Sequence, residues 1–492
     1  IASCAVPPIV PLRRRMPVSQ PEPLIVVIDS TGSSLGNLGM AARTVAGVRV
    51  AARSRDDLVD RAAIERVATL IATAHALILL PHGGTESIPG FEALITAAAG
   101  RLIHVQPAPA SPEGMAIARD HSSDFGSPAY RRRTAYLAQG GPENLANLLR
   151  VVMGDESAAP PAQVPVDGVY HPAYDGPSDP VSYLAWARGR FADGESRPVI
   201  GLWFYRPHWL SGDLETYDAL VAEIEAQGGI ALALFHVRAG GATQGGLSVP
   251  DLVARWFAGR IGALLSPLSF SLAQLGADTA RVLADLDVPV LQLILTANPR
   301  AEWEESLQAV TPLDVSANVA QPEFDGCLIG SVVATREHAE ADPLTGTRLV
   351  RRRPVAERCR HAVALALNWA RLRAIPPAER KVAILFHHYP PRNDCLGSAV
   401  GLDSFESVRV VLDRLAAEGY RLDHLYPDGE ALAHDLLSRL TNDRRYLPPA
   451  RMAARAAARI DSRTAIRWDG DRQAAGRDRR QMGAAAGAHL RP

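Results

Sequence analysis

The chain alternates short apolar runs with longer stretches of helical periodicity over most of its length. The runs have the length of strands and are almost continuously apolar, as expected where both faces of a strand are buried. They include LIVVID (24–29), ALILL (76–80), VIGLWF (199–204), IALALF (230–235) and VLQLIL (290–295). Because parallel strands need crossover helices, the alternation predicts an α/β fold made of successive doubly wound, mostly parallel sheets of the flavodoxin-like type.

The alternation divides into three predicted units. A Pro/Gly-rich stretch separates the first two, and its composition is typical of a linker. The third unit is predicted to be incomplete, because its two strands, KVAILF (381–386) and RLDHLYP (421–427), are too few to stand alone. The predicted organisation is a non-native segment upstream of Met16 (1–15), a first α/β domain (16–153), a linker (154–196), a second α/β domain (197–376), the start of a third (377–447) and an Ala/Arg-rich tail that is disordered or frame-shifted (448–492).

Charge and cysteine usage exclude several classes of protein. The formal net charge is −1, so no overall electrostatic attraction to nucleic acid or to an anionic membrane is expected. No apolar run reaches about 18 residues, which predicts that no segment spans a membrane. The four cysteines are far apart and form no CxxC pair, which argues against a disulfide scaffold or a structural zinc site. These features predict a cytoplasmic protein.

The densest group of chemically capable side chains follows the predicted strand KVAILF. Open α/β sheets bind their ligands at the carboxyl ends of strands, so a polar turn at this position is a candidate site. Adjacent residues on an extended backbone point to opposite sides, so at most one of the two histidines is expected to reach a given ligand. A structural role in the turn is the alternative. The candidate residues are His387, His388, Tyr389, Arg392, Asn393 and Asp394.

Weaker candidates follow other predicted strands. Arg206 and His208 lie in a polar turn after VIGLWFY, and His82-Gly83-Gly84 follows ALILL. The turn TGSSLGNLGM (31–40) can cradle an anion on backbone N–H groups, although its spacing matches neither GxGxxG nor the Walker A motif. A tight strand-to-helix turn is the favoured interpretation. The sequence contains no HExxH motif, and its Ser, His and Asp residues do not suggest a hydrolase triad.

Several motifs together resemble one family, the large subunit of cobaltochelatase of the CobN type, which is related to the large H subunit of magnesium chelatase. The most specific is HHYPPRND (387–394), followed by GSAVGLDSFESV (397–408). HGGTESIPGFEAL (82–94) and YLAQGGPENLANLLRVVMG (136–154) agree with it in the same order along the chain. The resemblance runs from about Leu24 to about Pro448. Family members are more than twice this length, which implies that the chain is an N-terminal fragment and inactive by itself.

The resemblance implies a function in cobalamin biosynthesis. Subunits of this kind bind a tetrapyrrole, here hydrogenobyrinic acid a,c-diamide, and take Co²⁺ as the metal to be inserted. Two smaller AAA+ ATPase partners supply ATP hydrolysis with Mg²⁺, in line with the lack of a phosphate-binding loop in this chain. Two alternatives stay open: the H subunit of magnesium chelatase, which inserts Mg²⁺ into protoporphyrin IX, and a non-catalytic module that binds tetrapyrrole or docks the motor.

The resemblance also implies roles for individual residues. Imidazole and carboxylate groups suit the stripping of water from Co²⁺ and the deprotonation of ring nitrogens, and guanidinium groups suit the carboxylates at the ring's edge. The implied assignments are His387 and Asp394 as catalytic residues, His387 and His388 as metal ligands, and Arg392, Asn393, Tyr389, Arg206 and His208 as substrate-binding residues.

Overall fold

The computed structural model describes residues 22–108, 111–237, 245–279, 281–464 and 466–467. The predictions for residues 1–15, and for the part of the tail from 468 onwards, lie outside these residues. The chain forms two compact units, Ile1–Arg373 and Ala374–Pro492. Within the described residues, no helix combines the length and the apolar character needed to cross a membrane.

The first unit begins with a four-stranded parallel sheet. Its strands are β1 (Leu24–Asp29), β2 (Arg49–Ser54), β3 (Ala76–Leu80) and β4 (Leu102–Val105), in the order β2-β1-β3-β4. Its helices are α1 (Leu35–Ala42), α2 (Arg61–Ile71), α3 (Phe91–Ala97), α4 (Pro112–His121), α5 (Pro128–Gln139) and α6 (Pro142–Val152). Successive side chains of β1 enter opposite cores, since Ile25 and Val27 pack with α1 and α6, whereas Val26 and Ile28 pack with α2 and α3. This double burial explains the unbroken apolar run.

A seven-stranded sheet follows in the same unit. Its strands are β5 (Asp167–Tyr170), β6 (Val199–Tyr205), β7 (Ile230–His236), β8 (Ala263–Ser266), β9 (Val290–Leu295), β10 (Leu328–Ala341) and β11 (Arg348–Pro354), in the order β11-β10-β9-β8-β6-β7-β5. The five central strands are parallel, and the edge strands β5 and β11 are antiparallel to their neighbours. The predicted doubly wound α/β class is therefore confirmed. The stretch 154–196, predicted as a linker, contributes β5 to this sheet.

Helices cover both faces of the second sheet. They are α7 (Pro180–Gly189), α8 (Arg206–Leu210), α9 (Glu215–Ala226), α10 (Val249–Leu252), α11 (Val282–Asp285), α12 (Arg300–Glu305), α13 (Pro312–Asp314), α14 (Gln321–Phe324) and α15 (Ala356–Ala374), with π-helical turns at Val253–Phe257 and Val315–Ala320. The helices α9 and α15 bury one face of the sheet, while α7, α10 and α11 bury the other. The stretch 317–334 is predicted to be extended around a turn. That prediction is wrong for its first part, which is helical up to Phe324.

The hairpin formed by β10 and β11 connects the two sheets of the first unit. The N–H of Ala52 on β2 donates to the carbonyl of Thr345 at the hairpin tip (3.0 Å). Arg43 pairs with Asp342 (2.6 Å), and Arg336 pairs with Asp56 (2.5 Å). The edge of the first sheet is thus tied to the second sheet by backbone and ionic contacts.

Close packing at Gly262 gives a testable consequence. A Cβ at this position would lie 2.6 Å from the Cβ of Ala370 on α15, well inside van der Waals contact. We expect Gly262→Ala to lower the free energy of unfolding by about 1–3 kcal/mol, because helix and sheet must separate locally. Gly189→Ala, where a Cβ meets nothing within 4 Å, is the matched control. Equal urea midpoints for both variants would contradict this close packing.

The second unit is helical and contains no strand among its described residues. Its helices are α16 (Ser404–Ala417), α17 (Gly429–Ser438) and α18 (Pro449–Arg455), the last of which lies in the predicted tail. The predictions of strands at KVAILF (381–386) and RLDHLYP (421–427) are wrong. A strand is stable only when neighbouring strands satisfy its backbone, and neither segment has such a neighbour among the described residues. Leu385 is 92% exposed as a result.

Candidate functional site

The motif HHYPPRND forms a closed loop at the start of the second unit. The N–H of Gly397 donates to the carbonyl of His387 (2.7 Å), and His388 forms an isolated antiparallel bridge with Leu396. Gly397 has φ +69°, and a Cβ there would lie 3.1 Å from the ring of Phe386. Both the backbone and the space therefore favour glycine at this position. We call residues 387–397 the HHYPPRND loop.

The two histidines of the loop differ in what they offer a ligand. The Nε2–H of His388 donates to the carbonyl of Arg392 (2.9 Å), which leaves Nδ1 with the free lone pair in the neutral ring. The side chain of His387 is exposed and makes no hydrogen bond within the described part of the chain. Tyr389 is 74% exposed. The loop thus presents two imidazoles and a phenol at the surface.

Arg392 and Asp394 form an exposed ion pair inside the loop. The Nε–H of Arg392 donates to Oδ1 of Asp394 (2.9 Å), and a second N–H donates to Oδ2, which makes the pair bidentate. Hydrogen bonding from Arg392 lowers the pKa of Asp394, and hydrogen bonding to Asp394 raises the pKa of Arg392. Asp394 is therefore ionised at neutral pH. It can accept a proton or a cation, but it is not a general acid at that pH.

Two residues that follow α17 hold Asn393. The N–H of Asn393 donates to Oδ2 of Asp443 (3.0 Å), and the hydroxyl of Thr441 donates to Oδ1 of Asn393 (2.7 Å). Asp443 also receives a bidentate pair from Arg445 (2.9 and 2.8 Å). Sequence reasoning did not identify these residues, because they lie about 50 positions from the loop and form no recognised motif with it.

The predicted residues Arg206 and His208 belong to the first unit, where both are buried and have hydrogen-bond partners. Arg206 donates to the carbonyls of Pro165 (2.7 Å) and Gln139 (2.8 Å). His208 lies with Nδ1 2.5 Å from the hydroxyl of Tyr217, and burial holds its pKa well below the usual value. The other residues with an implied role lie together in the HHYPPRND loop, whereas the weaker candidate His82-Gly83-Gly84 belongs to the first unit, where His82 is exposed.

The Gly/Ser-rich turn after β1 is occupied by a side chain of the protein itself. Oδ1 of Asp29 accepts the N–H of Thr31 (3.0 Å), and Oδ2 accepts the N–H of Ser34 (2.8 Å). The hydroxyls of both residues also donate to this carboxylate. The internal carboxylate takes the place that an anion would fill, in agreement with the favoured interpretation as a tight structural turn.

The described residues contain no group of three or more His, Cys, Asp or Glu side chains placed to hold a metal ion. Two imidazoles and an ionised carboxylate in the HHYPPRND loop can still supply individual ligands to a metal that is also held by another molecule.

Fold and loop together define a doubly wound α/β protein joined to a helical unit that presents an exposed loop of imidazole, guanidinium and carboxylate groups. The model of one family, CobN/Magnesium Chelatase, matches residues 134–482. Since this range is more than half of the chain, the protein belongs to that family, and the resemblance drawn from its motifs is confirmed.

Individual relatives come from both branches of the family. The chain is 32% identical to the aerobic cobaltochelatase subunit CobN of Sinorhizobium sp over 319 residues, which is 63% of this chain and 25% of the relative. It is 30% identical to the magnesium-chelatase H subunit of Rhodobacter capsulatus over 373 residues, 69% of this chain and 29% of the relative. The solved catalytic subunit of cobaltochelatase from Mycobacterium tuberculosis is similar in fold, with a TM-score of 0.53 and 25% identity, over 85% of this chain and 33% of that one.

The chain covers about a quarter to a third of the length of each of these relatives. The HHYPPRND loop and its partners at 441–445 all lie inside the range matched by the family model. The matched range also continues into the Ala/Arg-rich tail.

Proposed function

We propose that the chain is part of the tetrapyrrole-binding large subunit of an ATP-dependent cobaltochelatase, which inserts Co²⁺ into hydrogenobyrinic acid a,c-diamide in cobalamin biosynthesis. The observation that carries the proposal is the exposed HHYPPRND loop, within a chain of the CobN/magnesium chelatase family. The loop gathers groups of the three kinds that the reaction needs: a cation for ring carboxylates, imidazoles for the metal, and an ionised carboxylate.

Each group of the loop has a proposed role. Arg392 binds a carboxylate at the edge of the ring, exchanging its internal partner Asp394 for the ligand. Once freed, Asp394 accepts a proton from a ring nitrogen. His387 and Nδ1 of His388 first replace water on the incoming Co²⁺, and after the metal has passed to the ring, the freed nitrogen of His387 accepts the second proton. Asn393 and Tyr389 add a hydrogen bond and ring contact to the tetrapyrrole.

The proposed enzyme works as a complex. Two AAA+ ATPase partners hydrolyse ATP with Mg²⁺, and this chain binds substrate and metal in the cytoplasm. The sequence contains no recognised motif that binds a nucleotide phosphate, and this supports the proposal that the partners hydrolyse ATP. Arg206 and His208 remain proposed substrate-binding residues, although their partners in the first unit favour a structural role.

The magnesium branch provides the second candidate function, insertion of Mg²⁺ into protoporphyrin IX. It is favoured by the 30% identity to a magnesium-chelatase relative, which is similar to the identity with the cobaltochelatase relative. A third candidate is a non-catalytic module that binds tetrapyrrole or docks the motor without turnover. The choice of ring separates the first two, and metal insertion with the ATPase partners separates both from the third.

Removing the guanidinium of the loop tests the proposed binding role. We expect Arg392→Ala to weaken binding of hydrogenobyrinic acid a,c-diamide about tenfold, because one bidentate charge-assisted contact to a ring carboxylate is lost. Absorbance titration of the purified chain measures the change, with protoporphyrin IX titrated in parallel.

Arg414→Ala is the matched control, since Arg414 is an exposed arginine of the same unit whose ion pair among the described residues is with Glu418 (2.6 Å), one helical turn away. We expect it to bind as the unaltered chain does. Unchanged affinity in Arg392→Ala would remove Arg392 from the site. If neither the unaltered chain nor a version extended to the length of its relatives binds either ring, both chelatase functions are contradicted.

A further inference from the structure

The turn at the centre of the HHYPPRND loop is capped by a distant residue. Residues Asn393–Cys395 form a short 3₁₀ turn whose preceding residue, Arg392, makes no side-chain cap. The first free N–H of the turn, that of Asn393, donates instead to Asp443 (3.0 Å). A helical turn needs acceptors for its first N–H groups, and a local Ser, Thr, Asp or Asn usually provides them. Here the acceptor is 50 residues away.

Asp443 is well suited to hold this turn. Its side chain is among the few polar ones that are buried in the second unit, with 8% of the residue exposed. Arg445 binds both of its oxygens, and hydrogen bonds from Arg445 and from the N–H of Asn393 hold its pKa far below the ordinary value. The carboxylate is therefore charged at neutral pH. Its two oxygens link the loop to the 441–445 segment.

Thr441 orients the side chain of the capped residue. Its hydroxyl donates to Oδ1 of Asn393 (2.7 Å) and accepts the N–H of Asp443 (3.2 Å). With its carbonyl oxygen occupied, Asn393 presents its amide N–H groups, which make no hydrogen bond within the described residues. These are donors for a carboxylate or amide oxygen. Arg392, the neighbouring residue, supplies the cation.

We propose that Asp443 is a positioning residue for ligand binding: through the backbone of Asn393 it holds Arg392 and the Asn393 amide together as one binding surface for the acidic side chains of a tetrapyrrole. The inference rests on the proposed function for the ligand, but its geometry is independent of the choice between the two rings. Asp443 itself does not touch the ligand. It acts by reducing the conformational freedom that the loop would lose on binding.

The experiment replaces Asp443 and follows two quantities. We expect Asp443→Asn to weaken tetrapyrrole binding about tenfold in the absorbance titration, and to speed amide hydrogen exchange at residues 392–397. Thr441→Val removes the hydroxyl that binds the Asn393 side chain and the N–H of Asp443, but it keeps the carboxylate of Asp443, so we expect a smaller loss, about threefold. This second variant keeps the test decisive if Asp443→Asn does not fold.

Asp435→Asn is the matched control. Asp435 is an aspartate of the same unit that accepts from Tyr426 (2.6 Å) and pairs with Arg439 (3.1 Å), without contact to the loop. We expect its binding and its exchange at 392–397 to be unchanged.

A double variant adds a readout that a general loss of stability would not reproduce. If Asp443 acts through Asn393, Asp443→Asn combined with Asn393→Ala weakens binding by less than the product of the two single effects.

The outcomes separate this inference from the proposed function. If the unaltered chain binds a tetrapyrrole and Asp443→Asn binds it equally well, the positioning role is overturned and the proposed function stands. Fully multiplicative losses in the double variant would also overturn it. If neither the unaltered chain nor a version extended to the length of its relatives binds either ring, the proposed function fails and the inference fails with it.

Discussion

Arg206→Leu is expected to lower the free energy of unfolding of the first unit by about 3 kcal/mol. The guanidinium is buried and donates to the carbonyls of Pro165, Gln139 and, at 3.4 Å, Val164. A leucine removes the donor from all three carbonyls. Pro165 is exposed, and Gln139 and Val164 are half-buried, so the cost of roughly 1–3 kcal/mol applies only to a carbonyl that water does not reach. Relief from burying a charge offsets part of this cost.

Urea unfolding followed by tryptophan fluorescence measures the effect, because every tryptophan except Trp468 belongs to the first unit. Arg281→Leu is the control, since Arg281 is exposed and pairs only with Asp285 one helical turn away (3.4 Å). We expect it to change stability by no more than about 0.5 kcal/mol. If Arg206→Leu instead keeps full stability and loses tetrapyrrole binding, the substrate-binding role predicted from the sequence is the correct one.

Acidification is expected to destabilise the first unit between about pH 6.5 and 4, and His104 is expected to contribute about 2 kcal/mol of that loss by about pH 5. Burial, with the charge of Arg133 close by, lowers the pKa of His104 to about 4. The unfolded chain, with an ordinary value near 6.5, takes up the proton first as the pH falls. The stabilising contribution is therefore complete above about pH 6.5 and is lost towards about pH 4. Burial also lowers the pKa values of His171, His208 and His236.

His104→Gln tests this contribution, because glutamine is neutral at every pH and keeps a donor and an acceptor. We expect the variant to be less stable than the unaltered chain at about pH 7, but to lose about 2 kcal/mol less between about pH 7 and pH 5, as measured by urea unfolding at each pH. His82→Gln, at an exposed position in the same unit, should leave the pH dependence as it is. A His104→Gln variant with the original pH dependence would show that His104 takes up its proton at the same pH in the folded and the unfolded chain, which would contradict the lowered pKa.

The sequence predicted which chemical groups form the candidate site, but not which residues hold them in place. The chemical groups of the HHYPPRND loop lie next to one another in the sequence, so their grouping needed no tertiary structure. The residues that hold these groups could be identified only from the tertiary structure, because Thr441 and Asp443 follow α16 and α17 in the chain and contact Asn393 only in the folded protein. The same limit explains Arg206. A polar residue at the carboxyl end of a strand suits a ligand, and only the structure shows that backbone carbonyls surround it.

The sequence by itself determined the class of the fold. Strands such as β1 and β6 are buried on both faces, so the local pattern of apolar residues carries the information, and periodicity is sufficient to identify them. Only the tertiary structure showed which segments depart from the structure that their apolar pattern predicts. KVAILF has the composition of a strand, but no neighbouring strand satisfies its backbone among the described residues, and it stays largely exposed outside any sheet.

The opposite case is β11, whose sequence RLVRRRP does not resemble a buried strand. It joins the sheet by antiparallel pairing with β10. Arg352 adds an ion pair with Asp213, which follows α8 (2.6 Å), and a hydrogen bond from its backbone N–H to the same carboxylate (3.0 Å). The local sequence pattern predicts which side chains are buried, whereas strand partners and long-range caps depend on residues far apart in the chain. For that reason the sequence predicted the layers of this protein, and only the tertiary structure showed which segments complete them.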